Sequence, residues 1–386
     1  MREAQKVGAS RRSVRRQSYY DYSMLILIIF IVAFGLVMVY SASSYRAQIS
    51  EKFNYDAAYF LKRQAISAML GVVAMLAVSK VDYKLLIKPL PFIKIVPVVA
   101  LYFISIILQI VVLVAGTEVN GAKRWIGVGS FSFQPSEITK IAIILFVAYI
   151  IYKKPVAVGK VSGMIRICAY MAIPIGLVAK ENLSTAIILA VIMIGVCFVA
   201  SKNKWIYILI PTVALGLLVA LYINFGDGFR MERFEIWKNI ETHEKGSQIL
   251  QGMYAIASGG MFGTGLGQSM QKLGFIPESH NDMIFTIICE ELGLVGAIVV
   301  VILFVMLIWR IYNVAMSAPD LYGGLICTGV MIQIAVQVIL NICVVTNTLP
   351  STGVALPFIS YGGTSIAILL AEMGLVLSVS NRIEVR

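Results

Sequence analysis

Long apolar runs separated by short polar segments dominate this chain. Residues 23–43 and 293–309, for example, contain no charged side chain. A helix needs about 20 apolar residues to cross the hydrocarbon core of a bilayer. The runs show neither the short alternating segments of a transmembrane barrel nor the charged face of a soluble helix. The pattern therefore predicts an all-α, polytopic integral membrane protein of about ten transmembrane helices.

The predicted spans are residues 23–43, 64–79, 92–115, 136–152, 164–179, 184–200, 204–224, 284–309, 322–346 and 358–380. They form one transmembrane domain over residues 23–380, which contains a long loop at about 225–283. A basic tail, residues 1–22, precedes this domain, and a short C-terminus, residues 381–386, follows it. The tail is the only segment that we expect to be disordered.

Composition and charge agree with a membrane location. The 386 residues are 59% hydrophobic and only 13% charged, with a formal net charge of +12. Most cations stand in short clusters between the apolar runs, so they indicate membrane orientation rather than nucleic-acid binding. Both termini are then cytoplasmic, and segments 116–135, 225–283 and 347–357 lie on the outer side of the membrane. The five cysteines are isolated and are expected to be small core residues.

The segment before the fourth span joins cations to an aromatic ring. Lys123 and Arg124 beside Trp125 suit the phosphate of a lipid headgroup, although an interfacial anchor is the alternative. Pro135 and the two residues after it predict a helix start. Lys140 falls one turn deeper in an apolar helix, so its charge needs a partner or a water-filled cavity.

The longest polar segment carries the candidate chemistry. It contains Arg230 and Arg233, a run of glycines, Lys272, and finally His280 and Asp282 immediately before the eighth span. The glycines fit no nucleotide-binding spacing and are expected to let the loop fold back on the helices. Partial burial would raise the pKa of Asp282 toward that of a general base; the alternative is an acid that stabilises the helix dipole.

Three further polar features lie within or beside the predicted spans. Glu290 and Glu291 lie inside an apolar span, so at least one of them is expected to pair with a basic residue. Residues 180–185 read KENLST and favour a cap for the sixth span over a contact with substrate. Two prolines and several glycines around Ser360 predict a broken or re-entrant segment that lines a polar cavity, with a kinked structural helix as the alternative.

Several motifs together resemble one family. NGAKRWIGVG with QPSE, QILQGMYAIASGGMFGTGLGQSMQKLGFIPESHNDMIF, ICEELGLVG and TGVALPFISYGGTS resemble the SEDS family of bacterial cell-wall polymerases over most of the chain. The APDLYG turn at residues 318–323 and the ten-helix layout resemble the division and sporulation branch, FtsW and SpoVE, more than the RodA branch.

The resemblance implies a peptidoglycan glycosyltransferase that polymerises lipid II outside the membrane and releases undecaprenyl diphosphate. Asp282 matches the family's catalytic aspartate and would deprotonate the C4 hydroxyl of the acceptor GlcNAc. The implied partners are a class B penicillin-binding protein transpeptidase and other division or sporulation proteins, within membrane lipid. The predicted substrate-binding residues are Lys123, Arg124, Lys140, Arg230, Arg233, Lys272, His280 and Ser360. A divalent cation would suit the diphosphate, but no ligand set is recognisable.

The chain also departs from the family pattern, and other functions compete. KENLST replaces a QPDLST-like turn, and Asn281 and Met283 flank Asp282 where Thr and Phe are common. A flippase for the same lipid would use the intramembrane charges, including Lys140 and Glu372. A noncatalytic scaffold of the division machinery is the third possibility.

Overall fold

The computed structural model describes residues 18–90, 94–119, 122–128, 131–209, 212, 235–242 and 246–384. Its main helices are α1 (Tyr22–Ile49), α2 (Tyr59–Lys80), α3 (Pro97–Ala115), α4 (Pro135–Lys153), α5 (Val161–Glu181), α6 (Leu183–Ala200), α7 (Ser247–Ser258), α8 (Ile284–Ser317), α9 (Leu321–Val345) and α10 (Thr364–Ser380). Short 3-10 helices span Glu51–Phe53, Tyr83–Ile87 and Pro155–Gly159.

The helices confirm the predicted polytopic membrane fold. Eight of the described helices, α1–α6, α8 and α9, are long and apolar enough to cross a bilayer, and α10 is a shorter apolar helix. Nine of the ten predicted spans thus coincide with described helices. The remaining one, residues 204–224, lies mostly outside the described residues. The helix α7 was not predicted and belongs to the long polar segment.

Two small sheets were not predicted from the sequence. Strands β2 (Thr117–Val119), β3 (Ala122–Val128) and β4 (Phe131–Phe133) form an antiparallel sheet between α3 and α4. Strand β1 (Ser18–Tyr19) pairs with β5 (Ile383–Glu384), so the two ends of the described chain lie side by side. These strands have two to seven residues, which is too short for a reliable alternating pattern.

Small residues allow close approach inside the bundle. A Cβ on Gly71 of α2 would lie 2.8 Å from the Cα of Ala367 in α10, and one on Gly35 of α1 would lie 2.6 Å from the carbonyl oxygen of Phe358. The segment before α10 therefore enters the bundle and packs against α1. The predicted break before α10 is thus present, and it explains why α10 begins at Thr364 rather than near residue 358; the predicted polar cavity stays a prediction.

The helix α8 is broken at Gly293, which has φ 66° and ψ −166°. The glycine-rich loop repairs the interrupted hydrogen bonding. The N–H groups of Thr264 and Gly265 donate to the carbonyls of Glu290 and Glu291, at 2.9 and 3.0 Å. Loop carbonyls accept in turn from the two residues after the break. A break at membrane depth requires such replacement partners, so the predicted folding-back of this loop is confirmed.

Gly293→Ala is expected to destabilise the protein. A methyl group there would lie 2.4 Å from the backbone nitrogen of Gly263, and the backbone conformation alone costs a non-glycine residue roughly 1–3 kcal/mol. Thermal unfolding in detergent measures the effect. The matched control is Gly176→Ala in α5, where a Cβ meets no atom within 4 Å. A melting temperature for Gly293→Ala equal to that of Gly176→Ala would contradict this account.

Candidate active site

Asp282 lies at the end of the bundle where α8 begins. Asn341 of α9 anchors its backbone, because the side-chain Nδ2 donates both to the carbonyl of Asp282 at 2.8 Å and to that of Val354 at 2.7 Å. A Cβ on Gly353 would lie 3.6 Å from Oδ2 of Asp282. The carboxylate therefore faces the segment before α10, and Asn341 fixes the distance between the two.

The surroundings of Asp282 raise the pKa of its carboxyl group. Burial raises the pKa of its carboxyl group to about 6, its own N–H and that of Met283 oppose the rise, and the nearby Glu278 adds to it. A base with a pKa close to neutrality can accept a proton and later release it. The expected rise in pKa through partial burial thus agrees with the structure.

His280 is a buried side chain that packs against aromatic rings, and it does not offer a positive charge to the substrate. Its ring centroid lies 4.2 Å from that of Phe60 and 5.4 Å from that of Tyr361. Burial and the nearby Arg46 lower the pKa of the imidazole to about 3, so it is neutral at physiological pH. Its carbonyl accepts from the N–H of Tyr361 at 2.9 Å. This hydrogen bond joins the loop that carries Asp282 to the segment before α10.

Ser360 shapes the re-entrant segment. Its buried hydroxyl accepts from the N–H of Leu356 at 2.8 Å, and its carbonyl accepts from Nε2 of Gln64 at 3.1 Å. Oε1 of Gln64 accepts from the N–H groups of Gly362 and Gly363, each at 3.2 Å. Gln64 of α2 therefore fixes the turn that leads into α10.

Lys123 and Arg124 lie on β3, which contacts the turn between α5 and α6. The N–H of Lys123 donates to a carboxylate oxygen of Glu181 at 2.8 Å, and Nε of Arg124 donates to the carbonyl of Glu181 at 2.9 Å. Asn182 caps α6 by accepting from the N–H of Thr185 at 3.1 Å. The predicted cap is confirmed, and the same turn also holds the strand with the two cations.

Lys140 has the partner that its depth requires. Its Nζ lies 2.8 Å from Oε2 of Glu137, one turn earlier in α4, and both side chains are largely buried. Nearby in the bundle, Nε2 of Gln333 donates to Glu372 at 2.8 Å. Within the described part of the chain, Oε1 of Glu372 and Oγ of Ser136 are buried without a hydrogen-bond partner. Polar groups of α4, α9 and α10 thus lie inside the bundle.

Lys272 has a different environment from the one expected of a phosphate ligand. Its Nζ is 2.8 Å from Oε1 of Glu291 and 3.1 Å from the hydroxyl of Ser41, and both charged side chains are almost inaccessible to solvent. Glu290 accepts from the hydroxyl of Ser269 and from the N–H of Met270. Glu291 is therefore the paired acid, and the charge of Lys272 is used in stabilising the break in α8.

Arg230 and Arg233 lie outside the described residues. All five cysteines are free, and three of them are buried. Sequence reasoning did not identify Asn341 or Gln64, although an amide side chain within a predicted span is a signal that points to both. Among the described residues, no group of three or more His, Cys, Asp and Glu side chains is arranged to hold a metal ion.

The fold and the site define a multi-pass membrane protein with an acid–base group at one end of its helical bundle. The chain belongs to the cell cycle protein family of FtsW, RodA and SpoVE, whose model matches residues 21–384.

Several known proteins are similar to the chain. It is 39% identical over 372 residues to the probable peptidoglycan glycosyltransferase FtsW of Trichlorobacter lovleyi, covering 95% of this chain and 94% of that protein. It is 36% identical to stage V sporulation protein E of Bacillus subtilis, covering 93% and 96%. The division and sporulation branch is thus represented among its relatives.

Solved structures agree with these sequence relatives. A chain from a peptidoglycan synthase complex, described as showing structural coordination of polymerization and crosslinking, superposes with a TM-score of 0.77 and 27% identity, covering 94% of this chain and 97% of that one. The rod shape determining protein RodA of Thermus thermophilus superposes with a TM-score of 0.69 and 26% identity, covering 94% and 97%. The similarity thus extends over nearly the whole transmembrane bundle.

Proposed function

We propose that this chain polymerises lipid II into glycan strands at the outer face of the bacterial cytoplasmic membrane, with Asp282 as the general base. The chain is a peptidoglycan glycosyltransferase of its family, as relatives at 34–39% identity over most of its length indicate. One observation carries the assignment of the base. Asp282 is a carboxylate at the edge of a membrane bundle whose pKa burial has raised to about 6.

The proposed reaction is a single displacement. Asp282 accepts the proton of the C4 hydroxyl of the GlcNAc acceptor while the oxygen attacks the anomeric carbon of the MurNAc donor. The bond from that carbon to the diphosphate breaks, and undecaprenyl diphosphate leaves with the electron pair. Attack opposite the leaving group inverts the configuration of the carbon. General base catalysis of this kind requires hydrogen-bond reach between the carboxylate and the hydroxyl.

Neutral polar atoms around Asp282 support a sugar substrate. Within the described chain, Nδ1 of His280, Oδ1 of Asn281 and Oγ1 of Thr352 are buried without a hydrogen-bond partner. His280 and Asn281 precede Asp282 directly, and Thr352 precedes Gly353, whose Cβ position lies beside the carboxylate. Such atoms match the hydroxyl and amide groups of an acetylated sugar.

The leaving diphosphate needs cations, and the proposed set is smaller than the sequence predicted. We retain Lys123 and Arg124 as candidates, together with Arg230 and Arg233. We assign Lys140 and Lys272 to structure, because each ammonium group already neutralises a largely buried carboxylate, that of Glu137 and that of Glu291. Ser360 and His280 are uncharged, and we propose that they hold the loops around the substrate rather than bind its diphosphate.

Orientation and partners belong to the same proposal. The pairing of β1 with β5 supports placing both termini on one side, which the distribution of cations makes the cytoplasm. We propose residues 23–380 as the catalytic membrane domain, after a cytoplasmic tail at 1–22 and before a short C-terminus at 381–386. A class B penicillin-binding protein is the proposed partner, since a similar solved chain comes from a complex that couples polymerization to crosslinking. Other division or sporulation proteins would join them.

The test is synthesis of glycan from purified lipid II by the detergent-solubilised protein with its transpeptidase. Long strands are expected, and their absence from a reaction with the transpeptidase alone excludes a contaminating polymerase in the transpeptidase preparation. If no polymer forms but the protein moves lipid II across liposome membranes, the chain is a flippase. If it does neither, the scaffold alternative is supported.

The rate of polymerisation is expected to depend on pH through Asp282. The base must be ionised, so the rate rises with pH and reaches half of its plateau near pH 6, where the carboxyl group titrates. Initial rates from pH 4.5 to 8 at lipid II concentrations well below saturation, which report the pKa of the free enzyme, measure this limb. An acid limb centred near pH 4, the range of an unperturbed carboxyl group, would contradict the proposed environment of the base.

A further inference from the structure

A groove lies between α4 and α5 at the end of the bundle remote from Asp282. It has a volume of about 200 Å³, and its lining includes Lys153, Lys154 and Arg166 together with Tyr149 and Tyr170. α4 has 19 residues and therefore spans about 28 Å, close to the thickness of the hydrocarbon core. Because Lys153 and Lys154 stand where α4 ends, the groove opens at the membrane surface opposite the candidate active site.

Specific contacts fix the walls of the groove. A Cβ on Gly163 would lie 1.9 Å from the carbonyl oxygen of Ala157, so only glycine allows the 3-10 helix to pack this closely on α5. The hydroxyl of Tyr207 donates to the carbonyl of Val158 at 2.9 Å. Deeper along the groove, the hydroxyl of Tyr102 donates to the carbonyl of Tyr170 at 2.6 Å. Packing therefore fixes the backbone on both sides of the groove, and the three cations stand exposed along it.

The groove carries positive charge that the described residues do not neutralise. Its lining contains no acidic residue, and no described carboxylate lies within 4 Å of Lys153, Lys154 or Arg166. Nζ of Lys153 lies 5.6 Å from the ring centroid of Tyr149. At the same end of the bundle, Lys84 shows the contrasting case, since it pairs with Asp320 at 3.0 Å.

We propose that this groove binds an anionic glycerophospholipid. The phosphate would lie among the three cations, and the glycerol and first acyl carbons would lie along the apolar wall of Ile150, Ile167 and Tyr170. Basic pockets between transmembrane helices commonly bind anionic headgroups on the cytoplasmic side. A free anion would bind the cations but leave the apolar wall exposed. An acidic soluble protein would have to enter the lipid to reach that wall. The site is independent of the proposed polymerase reaction, because it uses none of the residues around Asp282.

Native mass spectrometry of the full chain in neutral detergent tests the site. The protein is titrated with phosphatidylglycerol and with phosphatidylcholine of the same acyl chains. The groove variant is Lys153→Gln/Lys154→Gln/Arg166→Gln. The control variant, Lys80→Gln/Lys88→Gln/Lys202→Gln, loses the same charge from exposed cations at the same end, outside the groove lining.

The wild type and the control are expected to prefer phosphatidylglycerol, and the groove variant should bind it roughly 100-fold more weakly. Each cation near an anionic lipid contributes about fivefold. Equal losses of phosphatidylglycerol binding in both variants would overturn the proposal, because they would show a general attraction of the lipid to the positively charged surface. Equal binding of the two lipids, or equal competition by glycerol phosphate, would overturn it as well. Should the triple variant fail to fold, Arg166→Gln alone is expected to lose about fivefold, and no loss would refute the proposal.

Discussion

Asp282→Asn is expected to abolish glycan polymerisation while leaving the fold intact. The amide has nearly the same shape as the carboxylate and keeps its backbone contact with Asn341, but it cannot accept the proton of the attacking hydroxyl. General base catalysis contributes about 10²–10⁴-fold in rate, so a loss of at least 10²-fold is expected. The measurement is the initial rate of strand synthesis from lipid II at equal amounts of folded protein.

The neighbouring acid provides the control for this substitution. Glu278 accepts from Nδ2 of Asn281 at 2.9 Å and lies 4.0 Å from Arg46, so Glu278→Gln removes a charge from the same loop. Its rate is expected to stay within a few-fold of the wild type. Retention of more than a tenth of the wild-type rate by Asp282→Asn would remove Asp282 as the base. Equal large losses in both variants would point to the charge of the loop rather than to proton transfer.

Lys272→Met is expected to cause the largest loss of stability. It leaves the carboxylate of Glu291 inside the bundle with the hydroxyl of Ser41 as its one remaining side-chain partner among the described residues. Removing one partner of a buried pair typically costs about 3–5 kcal/mol. Thermal unfolding in detergent, followed with a thiol-reactive dye that reports exposure of the buried cysteines, measures the change. Lys272→Met/Glu291→Met removes both charges and should recover much of the lost stability.

An exposed ion pair is the matched control for the buried one. Lys62 lies 2.7 Å from Asp56 on the surface, where solvent screens the pair, so Lys62→Met should change the melting temperature little. If Lys272 bound the diphosphate instead, Lys272→Met would lower polymerisation without lowering the melting temperature. A melting temperature equal to that of Lys62→Met would therefore refute the structural role.

Several features of the fold could be predicted because they are local. Each span corresponds to one predominantly apolar run of the sequence, since the bilayer requires every helix to carry its own apolar surface. Pro135 and the polar segment 180–185 predict helix starts because the first turn of a helix has fixed hydrogen-bonding needs. The family motifs around Asp282 likewise lie within a short stretch of the chain, so the candidate base could be identified from sequence.

The polar contacts inside the bundle could not be predicted in the same way. Lys123 and Lys272 both stand in glycine-containing polar segments, yet one lies on a short strand and the other pairs with a buried acid. Sequence pattern does not distinguish these environments, because the partner of Lys272 depends on how the loop folds over the break in α8. The role of Asn341 could not be predicted either, since its contact with Asp282 joins residues far apart in the chain.

The sequence by itself thus determined the class of protein, the spans, the family and the candidate base. Only the tertiary structure decided which charges are neutralised inside the bundle, where α8 breaks, and which side chains hold the loop of Asp282 against the segment before α10. The physical reason is that hydrophobic length and helix capping depend on neighbouring residues. The pairing of a buried charge depends on the one partner that packing brings within about 3 Å.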